Sequence, residues 1–343
     1  MRCLAILAIA NIVLVMAFSC PAHALDPTLV EQARKEGRVV WLTTQIMGEL
    51  ALPLAAAFKS SYGIEVTVNR ATPRLMGERL VQAARSPQTS IDLVDGRGAI
   101  PQLKRAGLLA PLDSETIRLL PPELSDRDGY WVATNAYFNA IAVNTDLVQP
   151  ERRPRTLEDL LKPEWSGRMV WSGQSTLSSA AGFIGTVLRE RGDDGGRAYL
   201  AQLGKQQIAT FDVSSRQIID KVISGQFELG LQVFHHQAAL SAGRGAPIAW
   251  LPVEPLTGSV TAIAITRQSA RPNAARLFVD FLLSRQGQEL FREAEILPVA
   301  PEVEPKDPSL RPAGGKFRAV YVSPEETEAG MQDWQALRAA LFP

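Results

Sequence analysis

The chain has 343 residues, of which 46% are hydrophobic, 21% charged and 7% aromatic, an ordinary globular composition with enough apolar material for one large domain or two lobes. Whole-chain disorder, a collagen-like repeat and a disulfide scaffold are excluded by those proportions. Lys+Arg and Asp+Glu each total 36, so no net field draws the protein toward an anionic membrane or nucleic acid, and no nucleic-acid partner is expected.

The first two dozen residues read as a targeting segment. Arg2 precedes LAILAIANIVLVMAF (4–18), apolar except for Asn11 and shorter than the ~20 apolar residues a spanning helix needs. Ala22-His23-Ala24 behind it is a small-x-small cleavage pattern, which makes 1–24 a signal peptide and predicts a soluble periplasmic protein. Cys20 offers a lipoprotein alternative, but Phe18 puts a bulky ring where such a signal carries a small residue. Cleavage after Ala24 removes Cys3, Cys20 and one of the three histidines. Thiol catalysis and Cys-ligated zinc are thereby eliminated.

Beyond the signal the chain alternates strand and helix patterns. RVVWLTT (38–44), opened by Gly37, is an apolar strand run, and a helical stretch follows it up to Gly63. IEVTVNR (64–70) alternates like a strand, PRLMGERLVQAAR (73–85) is apolar at helical spacing, IDLVDG (91–96) is a short buried-type strand and IPQLKRAGLL (100–109) a short helix. Strands alternating with helices predict an α/β fold with a largely parallel sheet covered on both faces. Proline-rich punctuation at Pro150–Pro154 and Pro298–Pro312 marks linkers or changes of lobe.

No enzymatic signature is present. GQSTL (173–177) fails the Gly-x-Ser-x-Gly pattern at its last position, and both GRGAIP (96–101) and GRGAPI (243–248) lack the third glycine of a dinucleotide loop. A secreted α/β hydrolase is the rival this disfavours; a non-enzyme without a cofactor is expected.

Five segments in order carry a family resemblance: GRVVWLTTQ (37–45), FKSSYGIEVTVNR (58–70), YFNAIAVNTDLV (137–148), TLEDLLKPEWSGRMVW (156–171) and TAIAITRQSARPNAARLFVDFLLSRQGQELF (261–291). Together they resemble the periplasmic solute-binding proteins of ABC importers, in the group named after ferric-iron binders. The resemblance implies the two-lobed type II periplasmic binding protein fold, with a hinge and a ligand cleft between lobes. Lobe one is expected at 25–138 plus 258–300 and lobe two at 139–257 plus 301–343. The implied partners are a small-molecule or ion ligand and an ABC permease in the inner membrane, the binding protein itself being a monomer.

In such sheets ligands lie beyond the carboxyl ends of strands. That rule nominates Thr43, Thr44 and Gln45 after the first strand, although threonines there serve equally as helix caps, and Asp95 and Gly96 after IDLVDG. In lobe two, Ser172, Gly173, Gln174, Ser175 and Thr176 lead into a helix, where free N–H groups and hydroxyls suit an anion; a plain Ser/Thr cap is the alternative. Ser214, Ser215 and Arg216 precede another helix, with Arg216 either a phosphate clamp or a surface arginine.

The metal question falls on GQFELGLQVFHHQAAL (225–240). Iron-binding members of the resembled family carry two adjacent tyrosines where this chain has His235 and His236. Imidazoles are softer donors than phenolates, poorly matched to a naked ferric ion, and adjacent residues on a strand point to opposite sides. Other members of the resembled family carry phosphate esters and phosphonates, and the hydroxyl-rich turn, Arg216 and the two imidazoles suggest an oxyanion such as an organic phosphate or phosphonate, with ferric iron or another metal ion the alternative. The histidines either contact it or form a structural pair near the hinge.

Overall fold

The computed structural model describes residues 26–83, 91–112, 114–118, 120–312 and 316–342; the expected signal peptide lies outside them. The first half contains α1 (Pro27–Glu36), β1 (Arg38–Thr43), α2 (Leu52–Tyr62), β2 (Glu65–Arg70), α3 (Pro73–Ala83), β3 (Leu93–Gly96), α4 (Ile100–Arg105), β4 (Leu109–Ala110) and α5 (Glu115–Arg118). The long strand β5 (Val132–Asn144) leads into β6 (Met169–Ser172), α6 (Ala180–Leu203), β7 (Ala209–Phe211), α7 (Ser215–Ile223), β8 (Leu229–Phe234), α8 (His235–Gly243) and β9 (Ile248–Leu251). A second long strand, β10 (Leu256–Thr266), returns to α9 (Pro272–Leu283), α10 (Arg285–Glu293) and β11 (Leu297–Pro298), and the chain ends with β12 (Ala319–Tyr321) and α11 (Pro324–Leu341).

Local chemistry sets these boundaries. Asp26 caps α1 by accepting from the Thr28 N–H at 2.8 Å, and Gly37 closes it in the left-handed conformation, φ 73°. Ser323 and Glu326 form a reciprocal capping box at the start of α11. The 272–293 segment reads as one helix but breaks at Ser284, which caps α10 through the Gly287 N–H. A Cβ at Gly287 would lie 2.2 Å from the Phe281 carbonyl oxygen, so only glycine permits this abrupt re-entry.

One curled sheet runs through the molecule in the order β2-β1-β3-β10-β5-β8-β6-β7. β1 pairs in parallel with β2 and β3, and β6 with β7 and β8, whereas β5 and β10 are antiparallel to each other at the centre. Both β5 and β10 cross between lobes, and both change register on the way, at Ala140/Ala142 and at Thr261/Ala262. Strand irregularities bend a sheet. The first falls where the packing passes between cores, Ala140 lying in one and Ile141 in the other, and the second lies within the first half.

Each half has its own core. Trp41, Phe58, Phe278 and Phe281 make edge and tilted ring contacts at 5.0–5.4 Å beneath the first half. Trp165, Trp171 and Phe342 belong to the second, with Trp171 and Phe342 4.7 Å apart. The C-terminal segment does not join lobe two as a unit: Leu310 and Phe317 pack in the first core, while Trp334, Leu337, Leu341 and Phe342 pack with the second.

β12 also adds in parallel to β10, and α11 touches both lobes. The Arg105 guanidinium of α4 grips the Glu328 carboxylate, its Nη2 donating to Oε1 at 2.7 Å, and the Trp131 indole N–H donates to Glu325 at 2.8 Å. On the other side Trp334 fills the notch left by Gly185 and Gly330. Among the described residues no helix is long and apolar enough to cross a membrane.

Candidate ligand-binding cleft

A cleft of about 740 Å³ lies between the halves. Thr44, Arg70, Thr72, Leu75, Arg97 and Gly98 form its lobe-one wall, Ser175, Thr176, Leu177 and Ser178 face them from lobe two, and Ser259 and Val260 of β10 contribute from the hinge. Val322, Pro324 and Thr327 close one side. The described lining holds two guanidinium groups and no carboxylate.

Arg70 ends β2 and Arg97 directly follows β3, so both project from the carboxyl ends of parallel strands. Neither has a carboxylate partner among the described residues. The Arg97 guanidinium lies 4.8 Å from the Tyr137 ring centroid and 5.5 Å from that of Phe234. Such cation–π contact, worth ~0.5–1 kcal/mol at exposed sites, orients the guanidinium while leaving its N–H donors free. Ser259 is buried, and its hydroxyl has no hydrogen-bond partner among the described residues.

The strand ends behind this wall are fixed by Asp95. Its carboxylate accepts from Thr43 Oγ1 at 2.5 Å, from the Thr44 N–H at 2.7 Å and from Thr44 Oγ1 at 2.9 Å. Gln45 donates from its backbone to Thr43 Oγ1 at 3.0 Å and from its side chain to Asn135 at 2.9 Å. Burial pushes Asp95 up to about 6, against the lowering effect of these donors. Four of the five nominated positions here, Thr43, Gln45, Asp95 and Gly96, are therefore buried and turned inward. Thr44 alone reaches the cleft, with its hydroxyl hydrogen directed at Asp95.

The lobe-two turn divides similarly. Ser172 donates to the Val213 carbonyl at 2.6 Å and accepts from the Gln174 N–H, and the Gly173 N–H donates to the Phe211 carbonyl at 2.8 Å. These residues shape the turn; Ser175 and Thr176 line the cleft, as does Ser178, which sequence reasoning passed over. Gln232 Nε2 holds the Leu177 carbonyl at 2.9 Å, and Gln335 of α11 donates to the Gln174 carbonyl and to Ser175 Oγ, both at 3.2 Å. A Cβ on Gly182 would come within 1.9 Å of that Leu177 carbonyl, so the turn lies directly on the first turn of α6.

The third group of nominated residues is placed elsewhere. Ser214 caps α7 in a reciprocal box with Gln217, and Ser215 Oγ accepts from the Phe234 N–H at 3.0 Å. Arg216 donates to Ser241 Oγ at 2.8 Å and pairs with Asp220 at 2.5 Å, one helical turn on. None of the three lines the cleft. Their Ser-Ser-Arg pattern is a helix start with an i,i+4 ion pair.

The histidines also differ from expectation. β8 ends at Phe234, so His235 and His236 open a helix, and they diverge by about 100° rather than pointing to opposite faces of a strand. His235 is fully buried against Phe138, Trp250 and Phe317, and its Nε2–H donates to the Leu310 carbonyl at 2.8 Å. Burial lowers His235 to about 4; burial, His235 and Arg97 lower His236 to about 3. Both rings are neutral near pH 6. His235 ties α8 of lobe two to a carbonyl of the first core; His236 faces a second cavity.

Arg70, Thr72, Arg97, Ser178 and Ser259 are among the cleft residues that sequence reasoning missed. The rule that nominated Asp95 and Gly96 reaches Arg97 one residue later, and Arg70 is the last residue of the IEVTVNR strand. Strand alternation and burial, invisible to a count of positions, decide which residue at a strand end faces outward.

Residues 88–318 match the family described as "Bacterial extracellular solute-binding protein". The chain is similar to the Fe(3+)-binding periplasmic protein of Serratia marcescens, 22% identical over 68% of this chain and 70% of that one. It also resembles the phosphoglycerate transport regulatory protein PgtC of Salmonella typhimurium, 24% identical over 68% of this chain and 59% of that protein. Among solved structures, iron-bound HitA from Pseudomonas aeruginosa superimposes with a TM-score of 0.71 at 21% identity, covering 89% of this chain and 99% of that one. AfuA from Actinobacillus pleuropneumoniae, with exogenous fructose-6-phosphate bound, gives 0.67 at 18% identity, covering 90% and 99%. With its two halves, central crossover strands and interlobe cleft, the chain belongs to the bacterial extracellular solute-binding proteins, of the two-lobed ferric-binding type.

Proposed function

We propose that the protein captures a small organic phosphate or phosphonate in the interlobe cleft, in the periplasm, and presents it to an ABC permease. Membership in the solute-binding family makes it the substrate-binding component of an ABC transporter; the ligand class is our inference. The observation that carries it is the pair Arg70 and Arg97 on a described lining without a carboxylate.

Guanidinium groups are suited to phosphoryl oxygens because their N–H donors match two oxygens at once. Hydrogen bonds to charged groups contribute ~1.5–3 kcal/mol each. Opposite them, Thr72, Ser175, Thr176 and Ser178 supply neutral hydroxyls. A ligand held by both walls stabilises the closed arrangement, which is how hinged proteins of this kind convert binding into a shape a permease can read. A bare ferric ion requires anionic oxygen donors, whereas this lining offers cations and hydroxyls. AfuA with fructose-6-phosphate bound and the phosphoglycerate transport regulatory protein are relatives consistent with this ligand class.

Calorimetric titration with fructose 6-phosphate, glycerol 3-phosphate, 2-aminoethylphosphonate and ferric citrate tests the reading. Saturable heat is expected from at least one phosphorus compound, and it should be abolished in the Arg70→Ala/Arg97→Ala double variant. Binding of ferric citrate alone, with a visible charge-transfer band, would overturn it.

A further inference from the structure

A second cavity, of about 420 Å³, lies between the lobes and shares no lining residue with the first. Its lobe-two wall is α8, through His236 and Leu240, with Arg244 at the helix's C-terminal cap; Ile296, Leu297 and Leu310, which pack with the first core, form the opposite wall. The wall is preorganised. Arg311 donates to the carbonyls of Pro298, Ala300, Pro301 and Val303 at 2.9–3.2 Å, folding the 298–311 loop around its guanidinium. His235 then fastens that loop to α8 through the Leu310 carbonyl.

The lining carries charges of both signs, but only one of its cations is left without a carboxylate. Arg244 has no carboxylate partner among the described residues, whereas the other cations on the rim, Arg292 and Lys306, already pair with Glu293. His236 Nδ1 is buried without a hydrogen-bond partner. Glu295 and Asp307 also reach the lining, so a second negative charge on an occupant would meet repulsion. One available cation, apolar walls and acidic neighbours together select for a singly charged anion with an apolar body.

We propose that this cavity is a second binding site, for a monocarboxylate with an aromatic or branched aliphatic body, its carboxylate on Arg244 and its body between Leu240 and the Ile296–Leu297 wall. The site is independent of the phosphate reading of the main cleft.

Benzoate is the probe. Wild-type full-length protein is expected to bind it saturably by calorimetry and by saturation-transfer NMR. Arg244→Ala should weaken binding by about tenfold or more, the loss of one charge-assisted contact, and Leu240→Trp, which puts an indole where the apolar body is to lie, should abolish it. Should Leu240→Trp fold poorly, Arg244→Ala decides, because Arg244 is exposed and its removal leaves the packing intact. Arg70→Ala/Arg97→Ala should bind benzoate as wild type does, whatever becomes of phosphate binding. The proposal is overturned by absence of saturable binding to the wild type, by wild-type affinity in Arg244→Ala, or by loss of benzoate in the Arg70/Arg97 variant, which would put the probe in the main cleft.

Discussion

The two walls of the main cleft are built on different principles. The lobe-one wall carries the charge, Arg70 and Arg97, on strand ends anchored by a buried carboxylate, Asp95 beneath Thr43 and Thr44; at the opposite, amino end of β3, buried Asp92 pairs with Arg271 at 2.7 Å and accepts from Ser269 and the Val40 N–H. The lobe-two wall is neutral, and its turn is positioned by amides and hydroxyls on main-chain carbonyls. Charge attracts an anion from a distance, whereas neutral donors select by geometry at contact. Division of the two tasks between lobes makes the first wall sensitive to pH and ion pairing and leaves the second sensitive mainly to packing.

The largest effect is expected from breaking the buried ion pair at the amino end of β3 in lobe one. Asp92→Ala deprives the Arg271 guanidinium of this carboxylate, and losing one partner of a buried pair costs ~3–5 kcal/mol. A urea midpoint equal to wild type would show that Asp92 is not a keystone of lobe one.

Protonation should distinguish the wall from the hinge. Asp95 is raised to about 6, so its contribution to stability is complete below its unfolded value near 4 and lost as pH rises through 6, on the order of 3 kcal/mol. His235 is lowered to about 4, so its contribution is present above about 6.5 and lost as pH falls through 4, of similar size and opposite slope. Denaturant titrations of Asp95→Asn and His235→Gln across that range should therefore deviate from wild type in opposite directions. Deviations of the same sign would contradict the placement of one of the two groups.

Next in size, Arg97→Ala should weaken a phosphate ligand by about tenfold to a hundredfold, roughly 1.5–3 kcal/mol, with Arg97→Lys only partly restoring it because an ammonium lacks the planar fork and the stacking. Isothermal calorimetry at fixed salt measures this. Equal affinity in Arg97→Lys and wild type would reduce Arg97 to a point charge. The smallest effect belongs to the neutral wall: Ser175→Ala should cost ~0.5–1.5 kcal/mol of affinity with little change in melting temperature, since the Ser175 hydroxyl is exposed.

Much of the fold is legible in the sequence because apolar periodicity and glycine stops are local properties. The strand ending at Thr43, the helix stopped by Gly63 and the strand ending at Gly96 all follow from neighbouring residues. The cleft is less legible, because facing it depends on contacts far along the chain. Asp95 and Thr43 are nominated at a strand end, yet they bond each other across the sheet, and the arginine one residue beyond Gly96 is the outward one. Ser214–Arg216 has the look of an anion clamp, but its donors are matched locally by Gln217, Asp220 and Ser241. The adjacent histidines suggest a metal or oxyanion because of the family's tyrosines, whereas His235 is a buried fastener between lobes. The part played by α11 has no sequence signature, since Glu325 and Glu328 become interlobe contacts only once Trp131 and Arg105 are folded against them.

That last feature bears on the opening motion. β5 and β10 are two connections between lobes, and α11 is a third, packed on lobe two and tied to lobe one at Arg105 and Trp131. Rotations that preserve those ties have their axis near the first turn of α11; any wider excursion must break the exposed Arg105–Glu328 pair, whose attraction solvent screens. A reporter or truncation at the C-terminal end is therefore not a neutral change, because it falls on a helix that contacts both lobes.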